Sequence, residues 1–169
     1  MNDPESFRTP EITIRPYEAN DFEQICRLDA ICFSPTIAYQ PREIAWFICQ
    51  PGILCYVALA NSSDRNDPSS LATDRVVAWI LANDGRRKRG HIITIDVHPS
   101  WRRMNLGTTL MERVECELAR RGCNVVRLEV AASNSGAINF YSGRGYNRIR
   151  TLQRYYADES DAFLMEKLI

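Results

Sequence analysis

The stretch from Val97 to Leu110 constrains the fold of this chain more than any other. An apolar strand, His91 to Val97, gives way through a short turn to a long amphipathic helix running to Gly122. That helix carries Leu106, Leu110, Val114 and Leu118 at four-residue spacing, with Met111 alongside. The turn holds Arg102, Arg103, Met104, Asn105, Leu106, Gly107 and Thr108. Free N–H groups at a helix start, the positive end of the helix dipole and two guanidinium groups together make a cradle for a pyrophosphate. Asn105 and Gly107 suit a backbone that approaches phosphate closely, since Gly adopts any backbone angle and Asn tolerates unusual ones. From these residues alone, an ordinary turn whose arginines face water stays open as the plainer alternative.

The rest of the chain alternates strands and helices around this unit. Residues 1–10 are polar, contain two prolines and are expected to be a flexible N-terminus. Residues 11–169 are expected to form one domain, with no repeat, linker or second unit. Glu11 to Arg15 alternates like a strand and stops at Pro16. Asn20 with Glu23 resembles a capping box opening a helix with Phe22, Ile25, Leu28 and Cys32 on one face. Phe33 to Tyr39 reads as a loop bearing aromatic and apolar residues, and Pro41 opens a second helix with Ile44, Phe47 and Ile48 on one side. Ile53 to Ala60 and Arg75 to Ala82 read as strands joined by an extended polar loop, 61–74. The turn Asp84 to Gly90 holds four consecutive basic residues, Arg86 to Arg89, which face water or meet an acidic partner. Val125 to Ala131 is a strand with Glu129 amid apolar neighbours, and Asn134 caps a short helix through Phe140 and Tyr141. Two final strands, about Tyr146 to Tyr155 and Ala162 to Leu168, flank an acidic loop. The order βααβββαβαββ fits an α/β chain of mixed α+β character: a twisted mixed sheet of about seven strands with helices on both faces.

Composition excludes several classes. The formal net charge of zero gives no argument for nucleic acid or an anionic membrane as partner. The longest apolar runs are too short to span a bilayer, and no basic stretch precedes an apolar one at the N-terminus, so the chain is expected to be cytoplasmic. Six cysteines without a C-x-x-C pair and only two histidines make zinc an unpromising ligand, and no metal is expected. Buried thiols in a reducing compartment are the economical reading.

The element order and the turn after the fourth strand resemble the GNAT superfamily of N-acetyltransferases. The family pattern Val-x-Pro-x-x-Arg/Gln-x-x-Gly-x-Gly/Ala reads here as Val97, Pro99, Arg102, Asn105 and Gly107, with Asn in place of the first glycine. The segment Leu128 to Asn134, then Ala137 to Tyr141 and Gly145-Tyr146, is similar to ribosomal-protein-alanine N-terminal acetyltransferases. So is the tail: Arg154-Tyr155-Tyr156, the acidic Asp158 to Asp161, and Phe163 to Leu168.

That resemblance implies acetyl-CoA as donor, with CoA as product, and an acceptor that is a peptide or protein N-terminus. It implies a pyrophosphate on the backbone of residues 103–108 beside Arg102 and Arg103, and a pantetheine arm beside Ile95, Asp96 and Val97. The thioester would lie in a splayed region after that strand. Asn134 would cap its helix and touch the cofactor arm. Glu129 is the implied base, working through water, and Tyr141 the acid for the departing sulfur. The alternatives are an arginine-paired Glu129, with Asp96 or His98 as base, and a Tyr141 that is only a core aromatic. The peptide would enter between Phe33 to Tyr39 and the Tyr155-Tyr156 pair, unless those tyrosines merely complete the sheet. A small amine (polyamine, amino acid or aminoglycoside) is the second acceptor class; a non-catalytic acetyl-CoA-binding regulator is the third reading. A monomer or weak dimer is expected.

Overall fold

A computed structural model describes residues 11–60, 75–85 and 87–169. The expected flexible N-terminus, the loop 61–74 and Arg86 of the basic turn lie outside the described residues. Seven strands form one sheet in the order β1-β2-β3-β4-β5-β7-β6. They are β1 (Ile12–Pro16), β2 (Ile53–Ala60), β3 (Arg75–Asn83), β4 (Arg89–Val97), β5 (Val125–Ala131), β6 (Asn147–Leu152) and β7 (Ala162–Leu168). The helices are α1 (Phe22–Cys32), α2 (Pro41–Ile48), α3 (Leu106–Arg120) and α4 (Ser135–Gly143). The expected element order therefore holds.

β3 lies inside the sheet with both faces covered, which is why Val76 to Ala82 is an unbroken buried apolar run. On one face α3 packs Leu106, Leu110, Met111, Val114 and Leu118 against Ala78, Ile80, Leu128 and Val130. On the other, Ile25 and Leu28 of α1 and Ile44 of α2 pack against Val57, Trp79 and Leu81. α3 ends where Gly122 turns left-handed at φ 84.

Every neighbouring pair of strands is antiparallel except β4–β5, which are parallel and joined over only three pairs, ending at His91↔Arg127. Beyond that pair both strands continue, β4 to Val97 and β5 to Ala131, without pairing to each other. A register shift against β3 between Leu81 and Ala82 leaves Ile93 as an extra residue in β4. The splay expected after β4 thus begins partway along it, and it opens a slot through the sheet from one face to the other.

Three local readings are corrected. The N-terminal box of the first helix lies two residues earlier than Asn20: the Asp21 carboxylate accepts from the Glu18 N–H at 2.8 Å, and Arg15 clamps it with bonds of 2.7 and 2.9 Å. A 3-10 turn, Ala19–Asp21, therefore precedes α1. β4 begins at Arg89 rather than His91, because Arg87 and Lys88 complete the hairpin turn, both at φ 59. β6 stops at Leu152, short of Tyr155, where Arg154 turns left-handed at φ 51 and its N–H is taken by Asp161 at 2.9 Å.

Candidate active site

The slot between β4 and β5 opens into a cavity of about 760 Å³, bordered by the start of α3, by α4, by the α1–α2 loop and by the β6–β7 loop. On the α3 side, the turn reaches the helix through two left-handed residues, Arg103 at φ 65 and Asn105 at φ 62. Asn105 is the N-cap residue, yet its side chain bonds no helix N–H, and no acidic residue occupies the first turn. The first bond into the helix is Thr109 N–H to the Asn105 carbonyl at 3.0 Å, so the N–H groups of Leu106, Gly107 and Thr108 have no intrahelical acceptor. An uncapped positive helix end flanked by two arginines fits a pyrophosphate. Gly107 serves differently from expectation: its φ is ordinary, and a Cβ there would come 3.3 Å from Phe140 Cζ. Its smallness lets the first turn of α3 press against α4.

Ile95, Asp96, Val97, Arg102, Arg103, Asn105, Leu106, Gly107, Thr108, Asn134 and Tyr141 all line this cavity; Met104, also expected there, is exposed and does not. Arg102 folds back, donating Nε–H to the Val97 carbonyl at 3.1 Å, so part of its role is to hold the turn. Asn134 caps α4 by accepting from the Ala137 N–H at 3.0 Å, as its spacing suggested. Tyr141 is both core aromatic and cavity wall, edge-on to Phe140 and Tyr146, and burial pushes its hydroxyl pKa upward.

Glu129 alternates with Leu128 and Val130, so it sits on the sheet face opposite α3. Among the described residues it has no arginine partner. Its Oε2 lies 2.6 Å from His91 Nε2, bridging the point where the two parallel strands part. The sequence alone gives His91 no role beyond opening its strand; 38 positions separate the two residues, and only the strand register signals the contact. Phe33, Tyr39, Tyr155 and Tyr156 line the same cavity on the Glu129 side. Tyr155 and Tyr156 stand edge-on at 5.1 Å in a loop rather than in a strand, and both donate their N–H to the Ser160 carbonyl. Burial, then the neighbouring Tyr155, pushes Tyr156 up to about 12.

The two alternative bases are engaged elsewhere. Asp96 is 1% exposed and bonded to Trp79 and Thr94, which leaves its backbone as the part available to a cofactor arm. His98 Nδ1 accepts from the Ser100 N–H at 3.3 Å, capping the short 3-10 turn after β4.

The Acetyltransferase (GNAT) family profile matches residues 22–146. N-alpha-acetyltransferase 30 of Saccharomyces cerevisiae is 29% identical over 157 residues, covering 90% of this chain and 86% of that protein. The crystal structure of the NatC complex bound to Gag peptide and CoA contains a chain of the same fold, with a TM-score of 0.75 and 26% identity, covering 94% of this chain and 99% of that one. The ribosomal-protein-S18-alanine N-acetyltransferase of Escherichia coli shares the fold with a TM-score of 0.76 at 23% identity, over 94% of each chain.

Proposed function

Since the chain belongs to the acetyltransferase (GNAT) family, we propose that it transfers the acetyl group of acetyl-CoA to the N-terminal α-amine of a protein or peptide, with residues 11–169 as one catalytic domain. The observation that carries this reading is the slot between β4 and β5. It joins an uncapped helix start on one sheet face to an aromatic-walled pocket on the other, with the Glu129–His91 pair between them. When bound, acetyl-CoA supplies an acetyl thioester. The residues fit it: the N–H groups of 106–108 with Arg102 and Arg103 hold the pyrophosphate, and Asn134 with β4 borders the arm.

Acyl transfer needs a neutral amine. At pH 7, deprotonation costs an α-amine of pKa about 8 only about 1 kcal/mol, against about 4.6 for a lysine near 10.4. Glu129 Oε2 takes that proton, and His91, half-exposed behind it, passes it to solvent. The Tyr141 hydroxyl, whose proton burial holds tightly, delivers a proton to the departing sulfur. Phe33, Tyr39, Tyr155 and Tyr156 grip the first residues of the acceptor by packing. Among the described residues no helix is long and apolar enough to cross a membrane, and the described cysteines are unpaired; both support a cytoplasmic site of action.

A kinetic comparison of tetrapeptides with free N-termini against spermidine and single amino acids tests the reading. The aromatic walls predict a far higher kcat/KM for one or more peptides. Equal values for spermidine and every peptide would transfer the activity to small amines.

A further inference from the structure

Two loops wall the acceptor side of the cavity, and each holds its own shape. In the α1–α2 loop, residues 33–40, the N–H groups of Ile37 and Ala38 turn back to the Ser34 carbonyl at 2.9 and 2.8 Å. The buried Asp29 carboxylate anchors the far end of that loop by accepting from the Tyr39 N–H at 2.8 Å. In the β6–β7 loop, residues 153–161, the Tyr155 and Tyr156 N–H groups meet the Ser160 carbonyl at 2.9 and 3.2 Å. Phe33, Ile37 and Tyr39 line the cavity from the first loop, Tyr155 and Tyr156 from the second.

Among the described residues one hydrogen bond joins the two loops: the Thr36 hydroxyl donates to Asp158 Oδ2 at 3.1 Å, across 122 positions of sequence. The Ser34 hydroxyl lies 2.9 Å from Thr36 Oγ1. Since the Thr36 proton goes to the carboxylate, Ser34 is the donor of that pair. Asp158 Oδ1 accepts from the Ser160 N–H at 3.0 Å and the Ser160 hydroxyl at 2.6 Å. The carboxylate is thus oriented by its own loop, with Oδ2 left for the other one. Ionised at neutral pH, it makes the bond to Thr36 a charge-assisted one. Ser34, Thr36 and Asp158 are exposed, and none of the three lines the cavity. The relay therefore belongs to no core and touches no reactant. What it fixes is the separation of two aromatic walls.

We infer that Thr36 and Asp158 are positioning residues for the acceptor: their hydrogen bond is a latch that holds the two walls at one separation before the peptide arrives. The positioning role rests on the reading of this pocket as the peptide site. Loops without such a tie lose their freedom only when a ligand orders them, and that ordering weakens binding. A separation set in advance spares the loss. The latch therefore acts on affinity for the acceptor, and not on the chemical step or on acetyl-CoA at the other face of the sheet.

The test joins hydrogen exchange of the full chain without substrate to steady-state kinetics on a tetrapeptide acceptor. Thr36→Val keeps the side-chain shape and removes the hydroxyl. It should speed exchange at the N–H groups of Tyr155 and Tyr156, on the opposite loop, while moving the unfolding midpoint by no more than about 2 °C. The peptide KM should rise roughly three- to tenfold, the scale of one hydrogen bond, with kcat and the KM for acetyl-CoA unchanged. Thr36→Ser, which keeps the hydroxyl, should restore wild-type exchange and KM. In an Asp158→Ala background, Thr36→Val should change neither any further, because its partner is already gone. Unchanged exchange at Tyr155 and Tyr156 in Thr36→Val overturns the latch. Altered exchange with an unchanged peptide KM, a loss confined to kcat, or KM penalties that simply add in the double variant overturns the positioning role. Thr36→Val and Thr36→Ser alone decide if Asp158→Ala does not fold. If exchange behaves as stated but no peptide is acetylated, the functional reading fails and the positioning role with it, while the latch stands.

Discussion

At the scale of single residues, Asn105 and Glu129 carry the most. Asn105 takes the chain into α3 in the left-handed region, which costs most L-residues about 1–2 kcal/mol and glycine nothing. Asn105→Gly should therefore keep both the unfolding midpoint and acetyl-CoA affinity, whereas Asn105→Val should lower both; calorimetry on the two variants reads the difference. Glu129→Gln keeps the shape and removes the proton acceptor, so kcat should fall by roughly 10²–10⁴-fold with the midpoint unchanged. Tyr141→Phe should likewise lower turnover while leaving acetyl-CoA affinity intact. These positions were legible in the sequence because each announces itself locally: a turn residue before a helix, a carboxylate in an apolar strand, an aromatic after a cap. His91 and Asp29 announce nothing. Their significance comes from partners that the fold brings to them, Glu129 across the parallel strands and the Tyr39 N–H across a loop.

Among the elements, α3 shows how far spacing can be read. Its four-residue apolar repeat identifies the buried face, and all of Leu106, Leu110, Met111, Val114 and Leu118 are buried. Glu115 on the same helix looks like an ordinary solvated charge, yet it is buried. Its carboxylate accepts from the Tyr146 hydroxyl at 3.0 Å and Lys167 Nζ at 2.7 Å, and pairs with Arg144 at 3.3 Å, binding α3 to the turn after α4 and to β7. No periodicity reveals that junction, since its partners come from two distant segments, the turn after α4 and β7. Removing one side of such a cluster strands the others, so Glu115→Ala should cost about 3–5 kcal/mol in urea unfolding, and Glu115→Gln less. β6 ends short of its expected length for a comparable reason. Tyr155 and Tyr156 have strand-forming side chains, but the left-handed Arg154 and the Asp161 bond to its N–H turn the chain away before them.

For the whole molecule, the decisive feature is the single parallel joint in an otherwise antiparallel sheet. Three pairs hold β4 to β5, and their divergence opens the slot through which, in the proposed function, a donor and an acceptor reach one point from opposite faces. The sequence conveyed the element order and both groups of residues at that point, because strand and helix periods are local; it could not locate where the strands part, which is a property of register. The account's central claim is that the amine reaching that point is an N-terminal one, and the proton cost favours it over lysine by about 3.5 kcal/mol. The direct measurement is acetyl transfer to two peptides of one sequence containing an internal lysine, one with a free N-terminus and one with it blocked. The claim predicts that the free peptide is acetylated at its α-amine, with a rate that rises no further above about pH 8, and that the blocked peptide is not acetylated. Equal rates on the two, with the acetyl group on the lysine, would contradict it.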